Sequence, residues 1–174
     1  MLLAGEEWAA RFAQFQREAW RLETLPQYLM PQEAEEFASF RDGARIDPAA
    51  VSNEYTDRLR RQAVAGRIQG RVHVLTRPLS DYLRFEFHHY YRPHALAGEQ
   101  IRILDVTNRP NPLEGAQDFW MFDCSEVVLM NYHADGRQIS REVWAGDVAP
   151  FLEYQRIAVS ESVSFEEYVK GLDL

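Results

Sequence analysis

The stretch Arg71-Val-His-Val-Leu-Thr-Arg-Pro-Leu-Ser-Asp-Tyr-Leu-Arg-Phe-Glu86 carries the chain from one structural period to another. Val72, Val74 and Leu75 predict a strand over 71–77, and Pro78 then opens a helix in which Tyr82, Phe85, His89 and Tyr90 share a face. Gly98 closes that region, and Ile101, Ile103 and Val106 alternate as a second strand. Residues 108–115 (Asn-Arg-Pro-Asn-Pro-Leu-Glu-Gly) form a loop by composition. Phe119–Phe122 and Val127–Tyr132 flank a short turn and predict an antiparallel hairpin, and Asp135-Gly136 turns the chain into an extended piece over 138–144. A helix follows from Gly146 to about Val159, and Ser164-Phe-Glu-Glu167 matches the capping box of a last short helix.

Upstream of Gly70 the pattern is helical. Trp8, Phe12, Phe15, Ala19 and Trp20 recur at three- and four-residue steps and predict a helix over 6–20. A second helix runs from Pro31 to Phe40, with Glu33, Glu35 and Glu36 near its positive end. Asp47-Pro48 marks the start of a third, which reaches about Gly66 and carries Arg58, Arg60 and Arg61, with Arg67 just beyond. The fold class is therefore α/β in the α+β sense. A helical N-terminal part (1–69) packs on an α/β core (70–174), a small mixed sheet with a central hairpin and C-terminal helices, and 1–174 form a single domain.

Composition bounds the function. A chain of 174 residues, 46% hydrophobic and 13% aromatic, has material for one sizeable core. A formal charge of -8 argues against direct nucleic-acid binding through phosphates. All but one of the 19 basic residues are Arg, the side chain suited to bidentate anion recognition. Cys124 is alone, which excludes an intramolecular disulfide and disfavours a thiolate metal site. No apolar run approaches the roughly 20 residues of a membrane span, and the first residues do not resemble a signal peptide. A cytoplasmic location is the expectation.

P-loop, dinucleotide-binding, nucleophile-elbow and His-Glu-x-x-His signatures are all missing. His88, His89 and His94 lack the carboxylate or Cys spacing of a metal site, His73 and His133 read as surface or half-buried, and neither metal nor cofactor is expected. Arg77, Tyr82, Arg84 and Glu86 crowd charged and hydroxyl groups near a strand-to-helix junction. Each could simply pair with another element or face water. The sharper reading adds Glu99 and Asp123 and makes these six residues an Arg-containing pocket for a small anion or a partner's carboxylate.

Arg21-Leu-Glu23 with Tyr28, Arg71-Val, Arg77-Pro-Leu-x-x-Tyr-Leu-Arg-Phe-Glu86, Ala97-Gly-Glu99 and Asp118-Phe-Trp-x-Phe-Asp123 with Met130 and Tyr132 together resemble an actinobacterial family of uncharacterised proteins, a domain of unknown function. The resemblance implies a companion of helix-turn-helix regulators and transfers no activity. The segment from Ile101 through the hairpin to the C-terminal helix is also similar to half of a phospholipase D-like module. That likeness places Asp123 at the module's Asp, but Ala116 and Asp118 where its nucleophilic His and phosphate-binding Lys belong, which implies a degenerate module. The expected function is a non-enzymatic regulatory or binding protein. Its partner would be a separate protein such as a transcription regulator, or a small anionic ligand, with a homodimer left open. The alternative is a hydrolase or group-transfer enzyme using Glu86, Glu99 and Asp123 as acid and base.

Overall fold

The structure, a computed structural model, describes residues 1–172. Helix α1 (Gly5–Gln14) leads into strand β1 (Glu18–Glu23). Helices α2 (Ala34–Arg41) and α3 (Glu54–Val64) connect β1 to β2 (Ile68–Leu75). Helix α4 (Asp81–Glu86), a π turn (Phe87–Tyr91) and α5 (Arg92–Leu96) connect β2 to β3 (Gln100–Asp105). Then come β4 (Phe119–Phe122), β5 (Glu126–Tyr132), β6 (Gln138–Val143), α6 (Ala149–Glu161), β7 (Val163–Ser164) and α7 (Phe165–Val169). The seven strands form one sheet in the order β6-β5-β4-β1-β2-β3-β7. Strands β1, β2 and β3 are parallel, and every other pairing is antiparallel.

Strand alternation divides the core. Trp20 and Leu22 of β1, Val72 and Val74 of β2, and Phe119 and Met121 of β4 point to one face, where Phe151 and Ala158 of α6 close an apolar layer. The opposite face carries Ala19, Trp120, Phe122, Val128 and Met130 beneath Phe12 of α1. It continues to Ile101 and Ile103 beneath Leu83, Phe87 and Tyr91. Between these two apolar patches the same face presents Arg21, Glu23, Arg71 and His73, and the site is built there.

Three expectations about local structure need correction. The helix expected to reach Trp20 ends at Gln14, and residues 18–23 form the strand at the centre of the sheet, so the first 69 residues are not purely helical. Both faces of β1 are buried, and its inner face is charged, so the apolar alternation of an ordinary strand is hidden. Asp47-Pro48 opens only a short 3-10 turn; α3 starts at Glu54, behind the reciprocal capping box of Asn53 and Thr56. Likewise α4 begins at Asp81 rather than at Pro78, because the Ser80 hydroxyl accepts the Leu83 N–H. The hairpin β4–β5, the α6 helix and the Ser164 cap of α7 stand as the residues predict. Among the described residues no helix is long and apolar enough to cross a membrane.

Candidate functional site

In the parallel pairing of β1 with β2, Arg21 lies beside Arg71 and Glu23 beside His73. Side chains at these positions share one face, so the register alone gathers two guanidiniums, a carboxylate and an imidazole. Glu23, Arg71 and His73 are buried, and such charges persist only when paired. Glu23 meets Arg21 at 3.0 Å through Oε1 and Arg71 at 3.1 Å through Oε2, and the Tyr91 hydroxyl donates to Oε2 at 2.6 Å. Burial would raise the Glu23 carboxyl, but Arg21 and Arg71 outweigh it and hold the group at about 2. Arg71 also grips Glu99 Oε1 through Nε at 2.8 Å and Nη2 at 2.7 Å. Burial opposes ionisation of Glu99 too, yet Arg71 and then His94 bring its carboxyl down to about 2.

Glu86 has no such cation. It sits at the end of α4 with Oε2 3.6 Å from His73 Nδ1, and that oxygen has no hydrogen-bond partner among the described residues. Burial, followed by repulsion from Glu23, pushes its carboxyl well above the usual range. His73 Nε2 faces the Leu25 carbonyl at 2.8 Å. A carbonyl can only accept, so Nε2 carries the proton, and burial pushes the imidazole toward its neutral form. Nδ1 is left with a lone pair facing Glu23, Glu86 and the Tyr91 hydroxyl, 2.8 Å away, whose single proton is shared between Nδ1 and Glu23 Oε2.

Arg21, Glu23, Arg71, Glu86 and Tyr91 of this cluster form the floor of a cavity of about 710 Å³ between the sheet and helices α1, α3 and α4, with His73 directly beneath them. One part of the wall is aromatic and cationic. Trp8 meets Phe12 and Trp120 edge-on, Arg21 lies over Trp120, Arg58 over Phe12 and Tyr55, and Arg141 over Trp8. Another part is acidic and phenolic: Tyr82 donates to Glu33 at 3.1 Å, and burial raises the Glu33 carboxyl to about 7. Asp118 stands just outside, accepting from the Thr24 N–H and hydroxyl and from the Tyr28 hydroxyl.

The six residues singled out from the sequence fall in different places. Tyr82 and Glu86 line the cavity, and Glu99 lies immediately behind it on Arg71. Arg77 is elsewhere, on Asp105 at 2.8 Å at the end of β3, and Arg84 is on the exposed side of α4. Asp123 occupies the tip of the β4–β5 hairpin, where Asp123 and Cys124 have φ of 51° and 56°. Its carboxylate accepts the backbone N–H groups of Gln16, Arg17 and Glu18 at 2.8, 2.7 and 3.0 Å. It fastens the α1–β1 junction, so Glu86 and Asp123 do not share a cavity. His73, expected at or near the surface, is fully buried. Arg21, Glu23, Arg71, His73 and Tyr91 were not selected as a site from spacing. The available signal was charge at alternate positions in two strands otherwise apolar, Trp20-Arg-Leu-Glu23 and Arg71-Val-His-Val74.

The chain is thus an α+β protein with a polar cluster walled into one face of its sheet. The chain belongs to the family described as Domain of unknown function (DUF6879), whose family model matches residues 6–170. No curated protein matches it.

Proposed function

We propose that this protein is a non-enzymatic binding module whose cavity receives a small organic ligand with an anionic group, and that it transmits occupancy to a separate protein. The observation that carries this reading is the set of Arg58 and Arg141. Both line the cavity and keep Nε buried without a hydrogen-bond partner, and neither forms an ion pair among the described residues. Guanidiniums stacked on Trp8, Phe12 and Tyr55 present their edges to an incoming carboxylate or phosphate, while the rings cover its apolar body. A helix-turn-helix regulator in an actinobacterial cytoplasm is the partner proposed, since the acidic chain carries no basic recognition helix of its own. Kinship to a degenerate phospholipase D-like module belongs to the same reading. In that reading Asp118 and Asp123 are structural, since their carboxylates hold hydroxyl and backbone donors.

A catalytic reading has one specific observation in its favour. Glu23 and Glu86 share the cavity floor with carboxyls shifted in opposite directions, Glu23 downward beside Arg21 and Arg71 and Glu86 upward by burial, the division of labour expected of an acid and a base. Glu99 is locked to Arg71 and Asp123 is remote, so a hydrolase would have to use Glu23 with Glu86.

Thermal-shift titrations with benzoate and phenyl phosphate, against neutral benzamide, test the binding reading. The anions stabilise the protein and benzamide does not. Arg141→Gln and Arg58→Gln each weaken the anions about tenfold, the loss of one charge-assisted contact of about 1.4 kcal/mol. Equal affinity for benzamide, or no stabilisation by either anion, would contradict it. A tagged copy retaining no DNA-binding protein through purification would remove the proposed partner.

A further inference from the structure

We propose that Glu23, His73 and Glu86 form a binding site for one first-row divalent cation at the floor of the cavity. The three side chains come from β1, β2 and the end of α4, and one donor atom from each lies within 4.8 Å of the other two. All three residues are buried, which separates them from the ordinary carboxylate clusters of a protein surface.

Two observations point to a ligand rather than to a chance grouping. Glu86 has a side chain only 7% exposed, and its Oε2 faces the group without any hydrogen-bond partner among the described residues. An uncompensated buried oxygen is costly, and a cation beside it removes the cost. His73, in turn, has the orientation of a metal-binding histidine: Nε2–H is anchored on the Leu25 carbonyl, which fixes the tautomer and aims the Nδ1 lone pair at the carboxylates.

Distances and charge fit as well. Donors held about 2.0–2.2 Å from a tetrahedral ion stand roughly 3.3–3.5 Å apart. His73 Nδ1 is 3.6 Å from Glu86 Oε2 and 3.9 Å from Glu23 Oε2, so those two edges need to contract by only a few tenths of an ångström, and the two carboxylates, within 4.8 Å of each other, draw together on the ion. Tyr91 Oη, already 2.8 Å from Nδ1 and 2.6 Å from Glu23 Oε2, is a fourth donor in reach. The π turn at Phe87–Tyr91 brings Glu86 and Tyr91, five positions apart, to the same cavity. Two carboxylates and a neutral imidazole balance a dication, Glu99 continues to neutralise Arg71, and Arg21 stays on the other oxygen of Glu23, Oε1. An N,O,O donor set without sulfur suits Mn²⁺, Co²⁺ or Zn²⁺ rather than Cu⁺. The cavity gives an ion its path to Glu23 and Glu86.

The test uses full-length protein stripped with a chelator, the metal alone as probe, and no organic ligand. Equilibrium dialysis against Co²⁺, Zn²⁺ and Mn²⁺, read by elemental analysis, is expected to give one tightly held ion per chain. Bound Co²⁺ should develop visible d–d absorption from a low-coordinate N/O site. Glu86→Gln, which keeps the shape of the side chain, lowers affinity at least 100-fold while the stripped variant unfolds at the wild-type temperature or above. Arg84→Gln, on the exposed side of the same helix, changes nothing. The proposal is overturned if no ion binds stoichiometrically up to millimolar concentration. It is also overturned if Glu86→Gln binds as well as wild type, which would move the ion to other histidines such as His88 and His89. Anion binding at Arg58 and Arg141 is measured in chelator, so the two proposals stand or fall separately.

Discussion

Replacing Glu99 by Gln probes how far buried charge holds this fold together. Arg71 and Glu99 contact each other through two guanidinium nitrogens, with side chains 6% and 0% exposed. The folded protein holds the Glu99 carboxyl at about 2 against an ordinary 4.5. A difference of that size corresponds to roughly 3 kcal/mol of stabilisation. Removing one partner of a buried pair costs about 3–5 kcal/mol, since the remaining ion stays buried. The two routes agree on about 3 kcal/mol, or about 6–12 °C in Tm for a domain of this size. The sign follows from linkage. Because the folded value is depressed, the contribution is complete above about pH 4.5 and disappears as pH falls toward 2. Urea unfolding at pH 7 should therefore separate wild type from Glu99→Gln by about 3 kcal/mol, and at pH 3 by only about 1 kcal/mol. A gap below about 1 kcal/mol at pH 7, or one that does not narrow by pH 3, would show that the charge cluster is not a stabilising unit.

Two further outcomes follow from groups of different sign and place. Glu33 is raised to about 7, so its folded form keeps a proton that the unfolded chain has lost. Stability from this group falls as pH rises from about 4.5 to 7; carboxyl NMR should place its midpoint near 7, and Glu33→Gln should flatten that stretch of the stability profile. Asp123→Ala removes the acceptor of three backbone N–H groups and places Ala at φ of 51°, which should cost about 2–3 kcal/mol in urea unfolding. The same variant should leave anion binding unchanged, because the hairpin tip lies away from the cavity; weakened binding would return Asp123 to the site.

Local chemistry made much of this fold readable. Alternation marked β2, β3 and the hairpin, and the Ser164 capping signal fixed the start of α7, whereas Pro78 put the start of α4 three residues early because the Ser80 hydroxyl is its cap. β1 was hidden because Arg21 and Glu23 point inward where a strand normally places apolar residues, while Trp8, Phe12 and Phe15 continue a helical spacing into it. The site was hidden for the same reason. Its members lie on β1, β2, α4 and the π turn, and only the parallel register of β1 with β2 brings Arg21 beside Arg71 and Glu23 beside His73. Tyr82 was legible on the apolar face of its helix, and Glu86 as a charge crowded at the strand-to-helix junction, a signal that selected the exposed Arg84 equally. Asp123 misled because a carboxylate at a hairpin tip looks the same in sequence whether it binds a ligand or fastens a neighbouring backbone.

The four tryptophans offer the most direct test of the cavity as a ligand site. Trp8 and Trp120 line it, whereas Trp20 belongs to the apolar layer on the opposite face and Trp144 packs on Phe151 of α6. In a ¹⁵N-labelled sample titrated with benzoate, the indole N–H resonances of Trp8 and Trp120 should move together and saturably while those of Trp20 and Trp144 stay in place. Movement confined to Trp20 or Trp144, or no movement of any indole, would contradict the assignment of the cavity as the binding site.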